Sequence, residues 1–101
     1  MAKISDIQNA PLVFFDLEMT GLSPARHEIA EIGAVRAERN DNDTWQIVAA
    51  INWLAAPEHI ETADQDALAT FGYSETEWKN AIPVSAALAD FMEFSRGAYL
   101  V

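Results

Sequence analysis

The sequence predicts a mixed α/β sheet, and three observations carry this. Three strand-like segments come first, joined by short links. A helical stripe flanked by capping signals follows, and a strand-like stretch closes the chain. Strands one to three read as an antiparallel meander, and the fourth returns through the helices.

Residues 1–10 read as a lead-in, polar and without the apolar core of a secretory signal. Pro11 opens the first strand, where a missing N–H is tolerated. The unbroken apolar run Leu12 to Phe15 predicts a strand buried on both faces. It meets Asp16 and Glu18, two residues apart and therefore on one face of a strand. At ~5 Å such a pair repels by about 3 kcal/mol at an effective dielectric near 20, before desolvation is counted. An Arg or Lys partner, a shared proton or a metal ion would each offset that cost.

Gly21 and Pro24 punctuate the loop 21–27. A second strand is expected over about residues 28–39, with Ile29, Ile32, Ala34 and Val35 as its apolar part. Asn40 to Asp43 is a polar turn, and a third strand is expected over about 44–54. Pro57 then breaks the chain. Thr62 with Gln65 forms a capping-box pair, Ala67, Leu68 and Phe71 have helical spacing, and Gly72 ends the helix. Ser74 with Glu77 opens a short turn carrying Trp78. Pro83 precedes a stronger helix with Val84, Ala87, Leu88, Phe91 and Met92 as its core stripe. Arg96-Gly97 closes that helix, and Ala98 to Val101 starts a strand. Ending on Tyr-Leu-Val in mid-strand reads as the N-terminal portion of something longer.

Composition bounds the partners. The chain of 101 residues suffices for one small domain, and with 50% hydrophobic residues it can build a core. No apolar run is long enough to span a bilayer, so no membrane partner is expected. The absence of cysteine removes disulfides and thiolate metal sites and is compatible with a cytoplasmic protein. A net charge of −10 with scattered basic residues argues against a basic patch that grips phosphate by counterion release. Any nucleic-acid contact then takes its positive charge from bound cations or from residues elsewhere. Solubility alone also explains the acidic surface.

The segment Val13 to Val35, VFFDLEMTGLSPARHEIAEIGAV, resembles the first exonuclease motif of the DnaQ-like (DEDD) 3′–5′ exonucleases. The resemblance lies in D-L-E at the end of an apolar strand, T-G-L after Met19, and E-I-A-E-I-G-A-V at the expected distance. Pro57, Phe71-Gly72-Tyr73, Pro83 to Phe94 and Gly97 to Val101 extend it more weakly. The family's second and third motifs have no counterpart here, so residues 11–101 read as the N-terminal part of a single exonuclease domain.

The resemblance implies a ribonuclease H-like sheet with the Asp16 strand central. It further implies a two-metal phosphodiesterase using Mg²⁺ or Mn²⁺, which prefer carboxylate and water ligands. Asp16 and Glu18 would be the catalytic metal ligands, with Asp16 bridging the ions. Met19, Thr20, Gly21 and Leu22 would bind the terminal nucleotide, the apolar side chains lying against its base. The implied substrates are 3′ ends of single-stranded DNA or RNA, with a DNA polymerase subunit as a possible partner. With half of the family's carboxylates absent, this chain alone is expected to be inactive. The alternative is a non-catalytic nucleic-acid or protein interaction module that retains the fold. From the residues alone, Gly21 simply permits a turn and Leu22 packs on the core.

Other candidates rank lower. Glu31 on the second strand supports the metal site or pairs with Arg36 or Arg26. His59 and Asp64 mimic the spacing of the family's last motif but precede where its second should begin. His27 reads as a solvated loop side chain. Trp45, Trp53, Phe71, Tyr73 and Trp78 read as core rather than as a base-stacking platform.

Overall fold

The computed structural model describes residues 9–101, so the lead-in reading lies mostly outside the described residues. Strands β1 (Leu12–Met19), β2 (Ile29–Arg39) and β3 (Trp45–Leu54) are followed by a 3₁₀ turn (Ile60–Thr62). Helices α1 (Gln65–Phe71), α2 (Glu75–Trp78) and α3 (Val84–Phe94) lead to β4 (Tyr99–Leu100). The sheet order is β3-β2-β1-β4, with β4 parallel to β1 and the other pairs antiparallel. The mixed sheet and the element order match the sequence reading.

The β2–β3 turn is built by Asn40. Its side-chain oxygen accepts the N–H groups of Asn42 and Thr44, both at 3.0 Å, while Asp43 takes a left-handed φ of 63°. Gly72 ends α1 in the left-handed region at φ 78°, as a C-terminal glycine does. The Thr62–Gln65 capping box is not what forms. Asp64 caps α1 by accepting from Asp66 N–H, and Thr62 Oγ1 donates to the carbonyls of Arg26 and His59. Ser74 does cap α2, accepting from Glu77 N–H at 3.1 Å.

The core lies between α3 and one face of the sheet. Val13, Ile32, Ala34, Ala55, Ala87 and Phe91 are buried there, flanked by Trp53, Val84 and Phe94. The α3 stripe is therefore Val84, Ala87, Phe91 and Phe94, whereas Leu88 and Met92 are exposed. The helix lies against the sheet along one narrow line, so the second flank of the expected stripe faces away from it. Arg36 on β2 donates to the carbonyls of Phe94 (2.9 Å) and Arg96 (3.0 Å). It thereby satisfies the end of α3 and places a cation at the negative end of its dipole.

The prediction that β1 is buried on both faces fails. Val13 is fully buried, but Phe14 is 45% exposed, and Phe15 and Leu17 are also exposed. Val13 and Phe15 point toward α3, and Phe15 stacks on Phe91 with ring centroids 5.4 Å apart. Leu12, Phe14, Asp16 and Glu18 point to the opposite face, which no helix covers among the described residues. Trp45 also departs from the core reading, lying exposed beneath the Arg39 guanidinium at 5.5 Å.

Candidate active site

β1 carries its two acids out to the uncovered face. Asp16 is exposed and sits opposite Gly33 on β2, whose missing side chain leaves a groove beside the carboxylate. Phe14, Val35, Ala50 and Asn52 line the rest of that groove. One Asp16 oxygen accepts from Leu17 N–H at 3.0 Å. Glu18 is directly opposite Glu31, so three carboxylates share this end of the sheet. Glu31 accepts from the Asn52 amide at 2.9 Å rather than pairing with Arg36 or Arg26. The sequence left the role of Glu31 open, and the strand register brings it to the acids. Asn52 carried no sequence signal, because its position depends on the β2–β3 register.

The register of β1 against β2 shifts between Glu18 and Met19. An irregularity of this kind re-aims the chain at a sheet end, and here the strand turns into Thr20-Gly21-Leu22. Thr20 is 0% exposed. Its N–H donates to the Glu28 carbonyl and its Oγ1 accepts from Glu28 N–H, both at 2.9 Å, while its carbonyl accepts from Asp64 N–H at 2.7 Å. The side chain is buried and closes the loop through these bonds. Gly21 is buried with its Cα against the His27 ring, which a Cβ would overlap. Leu22 instead is 99% exposed and does not pack on the core. His27 is half-buried and accepts from Ser23 N–H at 2.9 Å, so it is not the solvated side chain expected.

Beyond the turn lies a cleft of about 550 Å³. Leu17, Glu18, Met19, Gly21, Leu22 and Pro24 form one wall, and the cap residue Asp64 with Asp66, Ala67, Thr70 and Phe71 of α1 forms the other. The segment between β3 and α1 is fastened by Glu28, whose two carboxylate oxygens accept from Glu58 N–H (2.9 Å) and His59 N–H (3.0 Å). His59 is exposed beside Glu61 at 3.3 Å, and Asp64 is the helix cap. Glu61 sits below the usual carboxylate range, chiefly through its backbone N–H contact and then through His59. The helix is seated by Trp78, which packs against Phe71 and Tyr73 and donates its indole N–H to the Ala30 carbonyl at 2.9 Å.

Chemically, the site pairs hard carboxylate oxygens with an adjacent cleft whose near wall is largely apolar. Among the described residues, no group of three or more acid, histidine or cysteine side chains converges on one point. The donor set suits a hard divalent cation in ligand type, with Asp16 and Glu18 available, and falls short of a closed cage.

A mixed sheet with paired acids at the end of its inner antiparallel strand has the arrangement of the ribonuclease H-like fold class. The chain matches the RNase_T exonuclease family over residues 13–101 and belongs to it. DNA polymerase III PolC-type of Streptococcus pneumoniae serotype 2 (strain D39) is 28% identical over 96 residues. That match covers 95% of this chain and 6% of the polymerase. The PolC-type polymerase of Caldanaerobacter subterraneus subsp. tengcongensis is 35% identical over 89 residues, covering 88% of this chain and 6% of the relative. Among solved structures, a 3′-exonuclease that recognises the histone mRNA stem-loop superposes with TM-score 0.66 at 18% identity. It is covered to 39%, against 85% of this chain. Cell-death related nuclease 4 gives TM-score 0.64 at 16% identity, with 83% of this chain and 29% of that chain covered. These structural likenesses show the fold. The chain spans a small part of the length of each of these relatives.

Proposed function

We propose that this chain carries the first part of the active site of a metal-dependent 3′–5′ exonuclease acting on single-stranded nucleic-acid ends. Residues 11–101 are then the N-terminal part of its catalytic domain. The observation that supports this best is the placement of Asp16 and Glu18 side by side on an open sheet face, with Glu18 also lining the cleft. Asp16 and Glu18 would hold Mg²⁺ or Mn²⁺. When bound, the ions supply activation of water and neutralisation of charge on the attacking and leaving oxygens. The protein's own residues sort the nucleotide by polarity. Met19 and Leu22 offer apolar surface to a base, which is sequence-tolerant contact. The Asp66 carboxylate on the far wall repels phosphate and can accept hydrogens from a sugar hydroxyl or base amine. The phosphate is thereby directed to the Asp16 side. The PolC-type relatives favour a DNA end as substrate and a polymerase as partner.

The test is trimming of a 3′-labelled single-stranded oligonucleotide by the protein that contains this domain, in Mn²⁺ and in EDTA. Asp16→Ala is expected to abolish trimming while leaving the circular dichroism spectrum unchanged. Full activity in that variant would refute the proposal. A second reading, a binding module without chemistry, rests on the absence of a three-ligand cluster among the described residues. Oligonucleotide binding in Mn²⁺ without trimming would favour it.

A further inference from the structure

Leu22 is an apolar side chain held almost fully in water, and one ring fixes the backbone on both sides of it. Ser23 N–H donates to His27 Nδ1 at 2.9 Å. Gly21, on the other side of Leu22, rests on the same imidazole so closely that a Cβ would overlap its Cγ, Nδ1 and Cε1 atoms. The Ser23 carbonyl accepts from the N–H groups of Arg26 (3.1 Å) and His27 (2.8 Å). Backbone and side chain of His27 thus close on the same residue. At its base the loop is pinned by the two Thr20–Glu28 bonds. Between base and tip, the imidazole spans the segment that displays Leu22.

We infer that His27 is a positioning residue whose neutral imidazole clips Gly21 to Ser23 and holds Leu22 at the cleft, and that protonation of the ring opens the clip. The inference goes beyond the exonuclease reading, and rests on it only for what Leu22 touches. A nitrogen that accepts from an amide must present a lone pair, so the ring is neutral with its proton on Nε2. The imidazolium has only donors, and its Nδ1–H would face the Ser23 N–H. The charged groups on the elements around the loop are Arg26 and Glu28 within it and Glu58, His59, Glu61 and Asp64 after β3. Glu28 is occupied by two backbone N–H groups, Glu61 by His59, and Asp64 by Asp66 N–H.

The test follows the Ser23 amide and Leu22 methyl NMR signals of the whole chain across about pH 5 to 8. It also measures binding of a fluorescent single-stranded oligonucleotide in Mn²⁺. Wild type is compared with His27→Asn, whose amide oxygen replaces the Nδ1 acceptor without titrating, and with His27→Ala. In wild type, the Ser23 amide should shift with the same midpoint as the His27 ring. Oligonucleotide binding should weaken roughly tenfold on acidification, which is about 1.4 kcal/mol and the scale of one hydrogen bond. His27→Asn should bind like neutral wild type and lose the acid limb. His27→Ala should bind weakly at every pH. His59→Asn, at the chain's other histidine, should leave the acid limb in place. A Ser23 amide indifferent to the His27 titration overturns the inference, as does an acid limb that survives in His27→Asn. If Ser23 titrates with His27 but wild type binds no oligonucleotide at any pH, the exonuclease reading fails and the clip stands.

Discussion

Glu18 is the middle member of an acidic row. Asp16 lies two residues away on the same face, and Glu31 is its direct cross-strand partner. Glu18→Gln keeps the shape of the side chain and removes its charge from both contacts. At ~6 Å each repulsion costs about 0.7 kcal/mol in water and about 3 kcal/mol at an effective dielectric near 20. Asp16 is exposed and Glu18 only half-buried, so the smaller figure governs. The Asn52 amide, donating to Glu31, offsets part of the second contact. The expected gain is about 1 kcal/mol in low salt with EDTA, or about 4–8 °C in melting temperature for a domain of this size. At about 1 M salt the Debye length falls to ~3 Å and the gain should nearly vanish. Divalent metal should invert the order. Wild type gains about 2.7 kcal/mol when Mn²⁺ is about a hundredfold above its Kd, and the variant should gain far less. Thermal melts of both proteins in EDTA and in Mn²⁺ give the answer. A variant less stable than wild type in EDTA would refute the electrostatic reasoning, and an undiminished Mn²⁺ shift would refute Glu18 as a ligand.

Three further changes probe the scaffold. Trp78→Phe keeps the contacts with Phe71 and Tyr73 but removes the indole donor to the buried Ala30 residue, whose carbonyl retains Ala55 N–H. It should cost about 1–2 kcal/mol in urea unfolding, and a loss below about 0.5 would contradict the role given to that bond. Gly33→Ala meets no atom within 4 Å and should raise stability by about 0.5–1 kcal/mol; a lower melting temperature would show that the groove beside Asp16 is tighter than described. Glu61, with its pKa lowered, contributes stability that is present above the ordinary carboxylate value and lost as pH falls through the lowered one. Being fully exposed, it contributes little, so Glu61→Gln should leave the melting curve at neutral pH unchanged. A fall of several degrees would overturn that view.

Element order and type were legible because each depends on near neighbours. Asn40 to Asp43 makes its own turn, Gly72 ends α1, and Pro83 heads α3, all from signals within a few residues. The errors came where burial depends on distant packing. Phe14 and Phe15 are as apolar as any core pair, yet only one face of β1 meets a helix. Asp64 displaced Thr62 as helix cap because Thr62 is drawn to Arg26, far away in sequence. The two acids of the site were visible from strand periodicity, since period two puts Asp16 and Glu18 on one face. Asn52 and the α1 wall were not, because register and helix docking bring them there. Asp66 and Thr70 are four apart and so share one side of a helix, but nothing in the sequence aims that side at Leu22.

Thr20, Gly21 and Leu22 show how one short motif divides its physical work. Threonine is required inside, where a small hydroxyl accepts from Glu28 N–H with no solvent-exposed surface. Serine would keep that acceptor but leave the volume of a methyl empty, at a cost of about 1 kcal/mol. Glycine is required next because the His27 ring occupies the place of a Cβ. Only the leucine is free of the fold, and it is the residue turned outward. The loop thus commits two side-chain positions to rigidity in order to present the third. On the proposed exonuclease reading, Leu22 is the residue this loop would offer to a base, with Thr20 and Gly21 as the frame that holds it at the edge of the cleft.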